Sequence, residues 1–160
     1  MSAHAVVRQV LPVPADVAFD VVHDYPNRLR WDTLLRAAYT VGGAAPDRGV
    51  DAVCRARWTL GGLTFRTRYV TFRRPDLAAV TLTSRSPFFA AWAASMRHRD
   101  LEGGRSEVVY TLTFTGAPAP LSRVVEAVAV RAFRWETGRR LRALAAHLAG
   151  SAPAAPTGQG

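Results

Sequence analysis

The 160 residues predict an α+β fold: a curved seven-stranded antiparallel sheet wrapped around one long C-terminal helix, with two short helices between strands 1 and 2. Three observations carry this. First, residues 119–149 run from the breaker Gly116-Ala117-Pro118-Ala119-Pro120 to Gly150 with only Gly138 inside. Proline in the first turn and glycine just past the end are the punctuation of a single helix, here roughly 45 Å long at 1.5 Å per residue. Its Val130, Phe133, Thr137, Leu141, Leu144 and Leu148 recur at threes and fours, a stripe that needs a partner surface. Second, from Leu34 to Thr115 the apolar period shifts to two, interrupted by turn clusters at hairpin spacing. Third, no other stretch reads as a comparably long helix, so the sheet must supply the partner surface.

The elements follow in order. Ala3 to Leu11 alternates as an edge-type strand and ends at Pro12-Val13-Pro14. Pro14-Ala15-Asp16 opens a helix to about His23. Asp24-Tyr25-Pro26-Asn27 breaks it, and Arg28 to Trp31 forms one more helical turn. Six strands follow: Leu35–Val41, Val50–Leu60, Leu63–Arg73, Leu77–Ser86, Phe88–Leu101 and Ser106–Thr115. Gly61-Gly62 makes a hairpin connection. Hairpin after hairpin implies an antiparallel meander. Residues 1–150 are thus expected to form one domain, and 151–160, rich in Ala, Pro and Gly, a disordered tail.

Composition narrows the function. No apolar run approaches the ~18 residues of a transmembrane helix, and the first residues lack the pattern of a signal peptide. With the single Cys54, an internal disulfide is excluded and a structural zinc site implausible, so a cytoplasmic protein without metal or cofactor is expected. The net charge of +9 invites a nucleic-acid reading. Every basic residue is arginine, however, as in a GC-rich coding sequence, and the arginines are scattered from Arg8 to Arg142. A solvated basic face is the better reading, with no nucleic-acid partner and weak attraction to anionic lipid left open. Arg139, Arg140 and Arg142 read as cations offsetting the dipole at the long helix's end.

Strand parity then selects the inward side chains. The outward sets carry Arg55, Arg57, Arg66 and Arg68. The inward sets are Cys54, Ala56 and Trp58; Leu63, Phe65, Thr67 and Tyr69; Val80, Leu82 and Ser84; Phe88, Ala90, Trp92, Ala94, Met96 and His98; and Val108, Tyr110, Leu112 and Phe114. This interior is aromatic with several polar tips, the lining expected of a small-molecule pocket. His98 is an acid/base candidate if inward, or a solvated residue past the sheet edge. Glu126 either faces the cavity mouth or pairs with Arg123 or Arg131 at the surface. The four histidines share no metal-ligand spacing. Cys54 reads as a small apolar core residue. The Gly-Gly pairs are turns, since none leads from a strand into a helix.

The element order, with Val13-Pro14-Ala15-Asp16-Val17-Ala18-Phe19 opening the first helix, Trp31-Asp32 closing the second and Arg134-Trp135-Glu136-Thr137-Gly138 leading into the last, resembles the helix-grip fold of the START-like (SRPBCC) superfamily of birch-pollen allergens, lipid-transfer domains and polyketide cyclases. The resemblance covers residues 3–149. It implies a cavity between sheet and helix that takes a hydrophobic or aromatic molecule, such as a lipid, isoprenoid or polyketide-like compound. Candidate lining residues are Trp58, Phe65, Tyr69, Leu82, Trp92, Met96, Tyr110, Leu112, Val125, Val128 and Phe133. The aromatase/cyclase members use an inward arginine and hydroxyls to polarise a carbonyl. The alternative function is therefore a cyclase or dehydratase with His98 or an inward arginine and Tyr110 as acid/base groups, and Glu126 as a further candidate. A monomer or homodimer is expected. A protein-binding role would need an exposed apolar patch.

Overall fold

The computed structural model describes residues 2–58 and 61–151. Its strands are β1 (Ala3–Leu11), β2 (Leu35–Thr40), β3 (Asp51–Ala56), β4 (Thr64–Arg73), β5 (Leu77–Leu82), β6 (Phe89–Leu101) and β7 (Arg105–Gly116). All pair antiparallel in the order β1-β7-β6-β5-β4-β3-β2. Helix α1 (Ala15–His23) and a 3₁₀ segment over Tyr25–Arg30 lie between β1 and β2, and helix α2 (Ser122–Ser151) closes the chain. The sheet curls around α2, which packs on β1 and β7, while α1 packs on β6 and β7. This is the helix-grip arrangement that the period change and the long C-terminal stretch predicted. The helix continues through Gly150 to Ser151, past the expected stop. The end of the expected Val50–Leu60 strand and nearly all of the expected tail fall outside the described residues.

The core forms where alternation meets the helical stripe. Val108, Tyr110, Leu112 and Phe114 of β7 are buried, and Leu141, Leu144 and Leu148 of α2 pack in the same cluster. At roughly 25 cal/mol per Å² of apolar surface, each such leucine contributes about 1.5–3 kcal/mol. A second cluster gathers Phe19 of α1, Tyr25, Ala52, Tyr69 and Ala78.

Three parity assignments need correction. A register shift between Phe89 and Ala91 turns the start of β6 by one residue, so Phe89 is buried while Phe88 and Ala90 are exposed. A bulge inserts a residue that alternation cannot anticipate. β3 stops at Ala56, so Trp58 never joins the pleat. It is 75% exposed, and the Arg36 guanidinium sits 4.2 Å from its ring.

Glu126 is likewise neither at the cavity mouth nor paired with Arg123 or Arg131. Its Oε1 accepts the Gly116 backbone N–H at 2.9 Å, tying the end of β7 to the first turns of α2. Gly116 is needed there, because a Cβ would lie 2.5 Å from the Ser122 carbonyl oxygen. We expect Gly116→Ala to cost about 1–3 kcal/mol through forced displacement of a backbone-to-backbone contact. Urea denaturation would read this, and an unchanged midpoint would show that the β7–α2 turn yields freely.

Candidate functional site

Between the sheet and α2 lies a cavity of about 250 Å³. That is just below the usual range of ligand pockets, about 300–1,000 Å³. Alternation places Phe65, Thr67 and Tyr69 of β4, Ala78 and Val80 of β5, Trp92, Ala94 and Met96 of β6, and Tyr110 and Leu112 of β7 on its wall. Phe133 of α2 closes one side, and the Phe65 and Trp92 rings lie 5.4 Å apart. Of the candidate lining residues, Phe65, Tyr69, Trp92, Met96, Tyr110, Leu112 and Phe133 come together on this wall. Four others do not. Trp58 is in solvent. Val128 is 63% exposed on the outer face of α2. Val125 packs into the core cluster without reaching the cavity. Leu82 lies on a separate surface depression with Arg85 and Phe89, because β5 ends there.

The polar part of the wall comes from residues the strand analysis did not select. Arg28, from the 3₁₀ segment, and Arg140, from α2, both line the cavity and flank the fully buried Asp32. Arg140 Nε and Nη2 donate to Asp32 Oδ1 and Oδ2 at 3.0 and 2.8 Å, a bidentate pair. Arg28 Nε donates to Asp32 Oδ2 at 3.0 Å, and its Nη1 to the Val22 carbonyl at 2.7 Å. Burial works against the Asp32 carboxylate, yet Arg140 and Arg28 outweigh it and hold the group below the usual carboxylate range. Burial likewise opposes both guanidinium charges, but Asp32 keeps them fully protonated. Two cations around one carboxylate leave one excess positive charge within this group. The inward arginines therefore come from the helical segments, not from a strand, and Arg140 is a buried structural cation instead of a residue that only offsets the helix dipole.

Hydroxyls stand beside this group. Tyr25 and Tyr69 share a hydrogen bond of 2.8 Å between their oxygens. Burial pushes Tyr25 up to about 12 and Tyr69 well above its ordinary value, so both remain phenols. The Arg28 guanidinium lies 5.7 Å from the Tyr25 ring, and that of Arg140 lies 5.7 Å from the Tyr110 ring. Burial also raises the Cys54 thiol, which fits an unreactive packing residue.

Two further polar groups are unsatisfied. The Trp92 indole N–H and both carboxylate oxygens of Glu136 are buried without a hydrogen bond. Glu136 is 7% exposed, lines the cavity, and has its nearest cation, Arg139 Nη1, at 3.6 Å. Buried groups of this kind normally find partners, which marks Trp92 and Glu136 as polar positions of this wall.

His98 does point inward, at 2% exposure, but it meets the Phe19 ring at 5.5 Å and does not line the cavity. Neither ring nitrogen has a partner, and burial lowers its pKa to about 4. His23, unremarked in the sequence, does line the cavity; its Nδ1–H donates to the Phe19 carbonyl at 2.8 Å. Among the described residues no group of three or more His, Cys, Asp or Glu side chains could hold a metal ion.

The family model described as polyketide cyclase/dehydrase and lipid transport matches residues 2–149. Among solved structures, the chain is similar to the Zhui aromatase/cyclase from Streptomyces sp. R1128, with a TM-score of 0.79 and 15% identity over 98% of this chain and 99% of that one. It is similar to TTHA0849 from Thermus thermophilus, with a TM-score of 0.77 and 10% identity over 94% and 99% of the two chains. A START superfamily protein from Mycobacterium smegmatis follows at 0.65 and 10% identity over 89% and 99%. At these identities the likeness establishes the shared fold. No curated protein sequence matches.

Proposed function

The chain belongs to the polyketide cyclase/dehydrase and lipid transport family, and on that premise we propose that it holds a compact hydrophobic or aromatic small molecule in the cavity between sheet and long helix. The observation that carries this reading is the wall itself. Phe65, Trp92, Met96, Leu112 and Phe133 supply apolar surface, while Arg28, Arg140, Tyr69 and Glu136 supply a few converging polar groups. Burial of the ligand's apolar surface provides affinity at roughly 25 cal/mol per Å². The guanidinium pair selects a ligand oxygen with acceptor character, and Glu136 a hydroxyl.

The test is titration with a naphthalene-based fluorescent probe. Ala94→Phe, which fills the cavity from the middle of β6, should abolish binding. Trp92→Ala should weaken it about tenfold or more, equivalent to ~1.4 kcal/mol. Unchanged affinity in both variants would overturn the reading. Solvent extraction of the purified protein provides a second check, since a co-purifying lipophile would name the ligand class directly.

A cyclase or dehydratase activity is the second reading. It is favoured by two arginines and three tyrosine hydroxyls on the same cavity wall, a set able to polarise a carbonyl and donate a proton to the developing enolate. With His98 away from the cavity, Tyr69 and Tyr110 are the candidates for proton transfer. Conversion of a linear poly-β-ketone should then fall at least a hundredfold in Tyr69→Phe or Tyr110→Phe, with probe binding retained.

A further inference from the structure

The outer face of α2 is built unlike the rest of the surface. Val124, Val128 and Trp135 are each more than half exposed, as is Leu121 just before the helix. With the exposed Ala132 they form one stripe: at 100° per residue, positions 124, 128, 132 and 135 fall within about 80° of one another. This is the side opposite the buried Leu144 and Leu148, so α2 is apolar on two faces and only one has a partner in the fold.

Charge on this helix is one-sided. Arg123, Arg131, Arg134, Arg139 and Arg142 are exposed, and no exposed residue of α2 is acidic. Its two carboxylates are occupied elsewhere, Glu126 on the Gly116 N–H and Glu136 buried at the cavity. Among the described residues, Arg123, Arg131, Arg134 and Arg142 have no carboxylate partner. The Arg139 guanidinium lies 4.8 Å from the Trp135 ring, pairing the cation with the indole.

We propose that this face docks on an anionic lipid bilayer. Branched apolar side chains and a tryptophan seat at the headgroup–acyl boundary, while flanking arginines meet the lipid phosphates. A net charge of +9 steers the protein toward such a surface. A protein partner would have to supply a groove shaped to this stripe, whereas a fluid bilayer accommodates it without one. Ala132 both belongs to the stripe and lines the cavity, so docking brings the bilayer to the cavity wall. Exchange of a lipophile there rests on the binding reading above, but the docking itself does not.

The test is co-sedimentation with phosphatidylcholine vesicles, with and without phosphatidylglycerol, using wild type, Val124→Asp/Val128→Asp and Arg131→Gln/Arg134→Gln. Wild type should sediment with the anionic vesicles only. The aspartate pair should reduce partitioning at least tenfold, and the glutamine pair should reduce it several-fold and flatten its salt dependence. All substituted positions are exposed, so circular dichroism should be unchanged, and naphthalene-probe titration reports the cavity separately. Absence of wild-type sedimentation at low salt would overturn the proposal. So would equal sedimentation of the aspartate pair, which would reduce the effect to net charge. A concentration-dependent dimer that the aspartate pair abolishes, without vesicle binding, would assign the face to a second copy of the chain and likewise overturn it.

Discussion

Replacing Asp32 by asparagine should cost about 3–5 kcal/mol, the largest loss we expect from any single substitution, and should leave much of the chain unfolded at 37 °C. The side chain keeps its shape, so packing is spared and the effect isolates charge. Among the described residues, Asp32 is the only carboxylate that bonds Arg28 and Arg140, and all three are buried. Without its charge two guanidiniums remain in a low-dielectric wall, bearing against each other with nothing to offset their desolvation. The group also joins two distant segments: the stretch from the 3₁₀ turn into the loop before β2, and the middle of α2. Its loss loosens the very contact that holds the helix over the cavity. Guanidinium denaturation at pH 7 is the measurement. A companion variant with Arg28→Met, Asp32→Leu and Arg140→Met should regain most of the stability and lose selectivity for ligands with an acceptor oxygen. A loss below about 1 kcal/mol in Asp32→Asn would mean that water reaches the arginines and that the wall is not the charged, dry surface described above.

That cluster also shows where sequence reading stopped. The meander, the long helix and the aromatic wall were legible because period two and period 3.6 are read directly from apolar spacing, and because β4 and β7 keep their alternation along the cavity wall. Trp58 and Phe88 failed for the same physical reason at opposite ends of their strands: parity holds only while pairing lasts, and neither a strand's end nor a bulge leaves a mark in apolar spacing. The polar site was missed through a different filter. Glu136 and Arg140 lie on the inward stripe with Phe133 and Thr137, three and seven residues on from Phe133. An apolar template passes over such positions, although a charge on a buried stripe is the more informative signal. The spacing of Arg28 and Asp32, four residues apart in a helical turn, pointed the same way. Arg140 meeting them across the fold could only come from coordinates. Val128 illustrates the converse, since an apolar residue on a long helix is no evidence of burial when the helix carries two apolar faces.

Acidification should destabilise this protein before its carboxylates titrate. His23 and His98 both pack against Phe19, with ring centroids 4.3 and 5.5 Å from it. Burial lowers His23 to about 3 and His98 to about 4, from an ordinary value of 6.5. For His23 the Phe19 carbonyl opposes the shift, while the Arg28 and His98 charges add to it; Asp20 opposes it weakly. The remaining neighbours are Phe72 and Tyr69, which bring no compensating charge. Well above pH 6.5 both rings are neutral in either state and folding is unaffected. Between 6.5 and 4 the unfolded chain binds up to two protons that the native state refuses, so stability falls as pH falls. At pH 5, about 1.5 pH units below the unfolded value, each refused proton costs about 2 kcal/mol, or about 4 kcal/mol for the two. Below pH 4 the Asp32 carboxylate, held low by its arginines, adds to the loss in the same direction. Urea denaturation at pH 7, 6 and 5 would show the slope. His98→Leu, which fills the same apolar space without a titrating group, should remove about half of it, and carbon-13 NMR should find both imidazoles neutral at pH 5 in the native protein. Equal slopes in wild type and His98→Leu would mean that the ring already reaches water in the folded state, and that the second core cluster around Phe19 opens on its own.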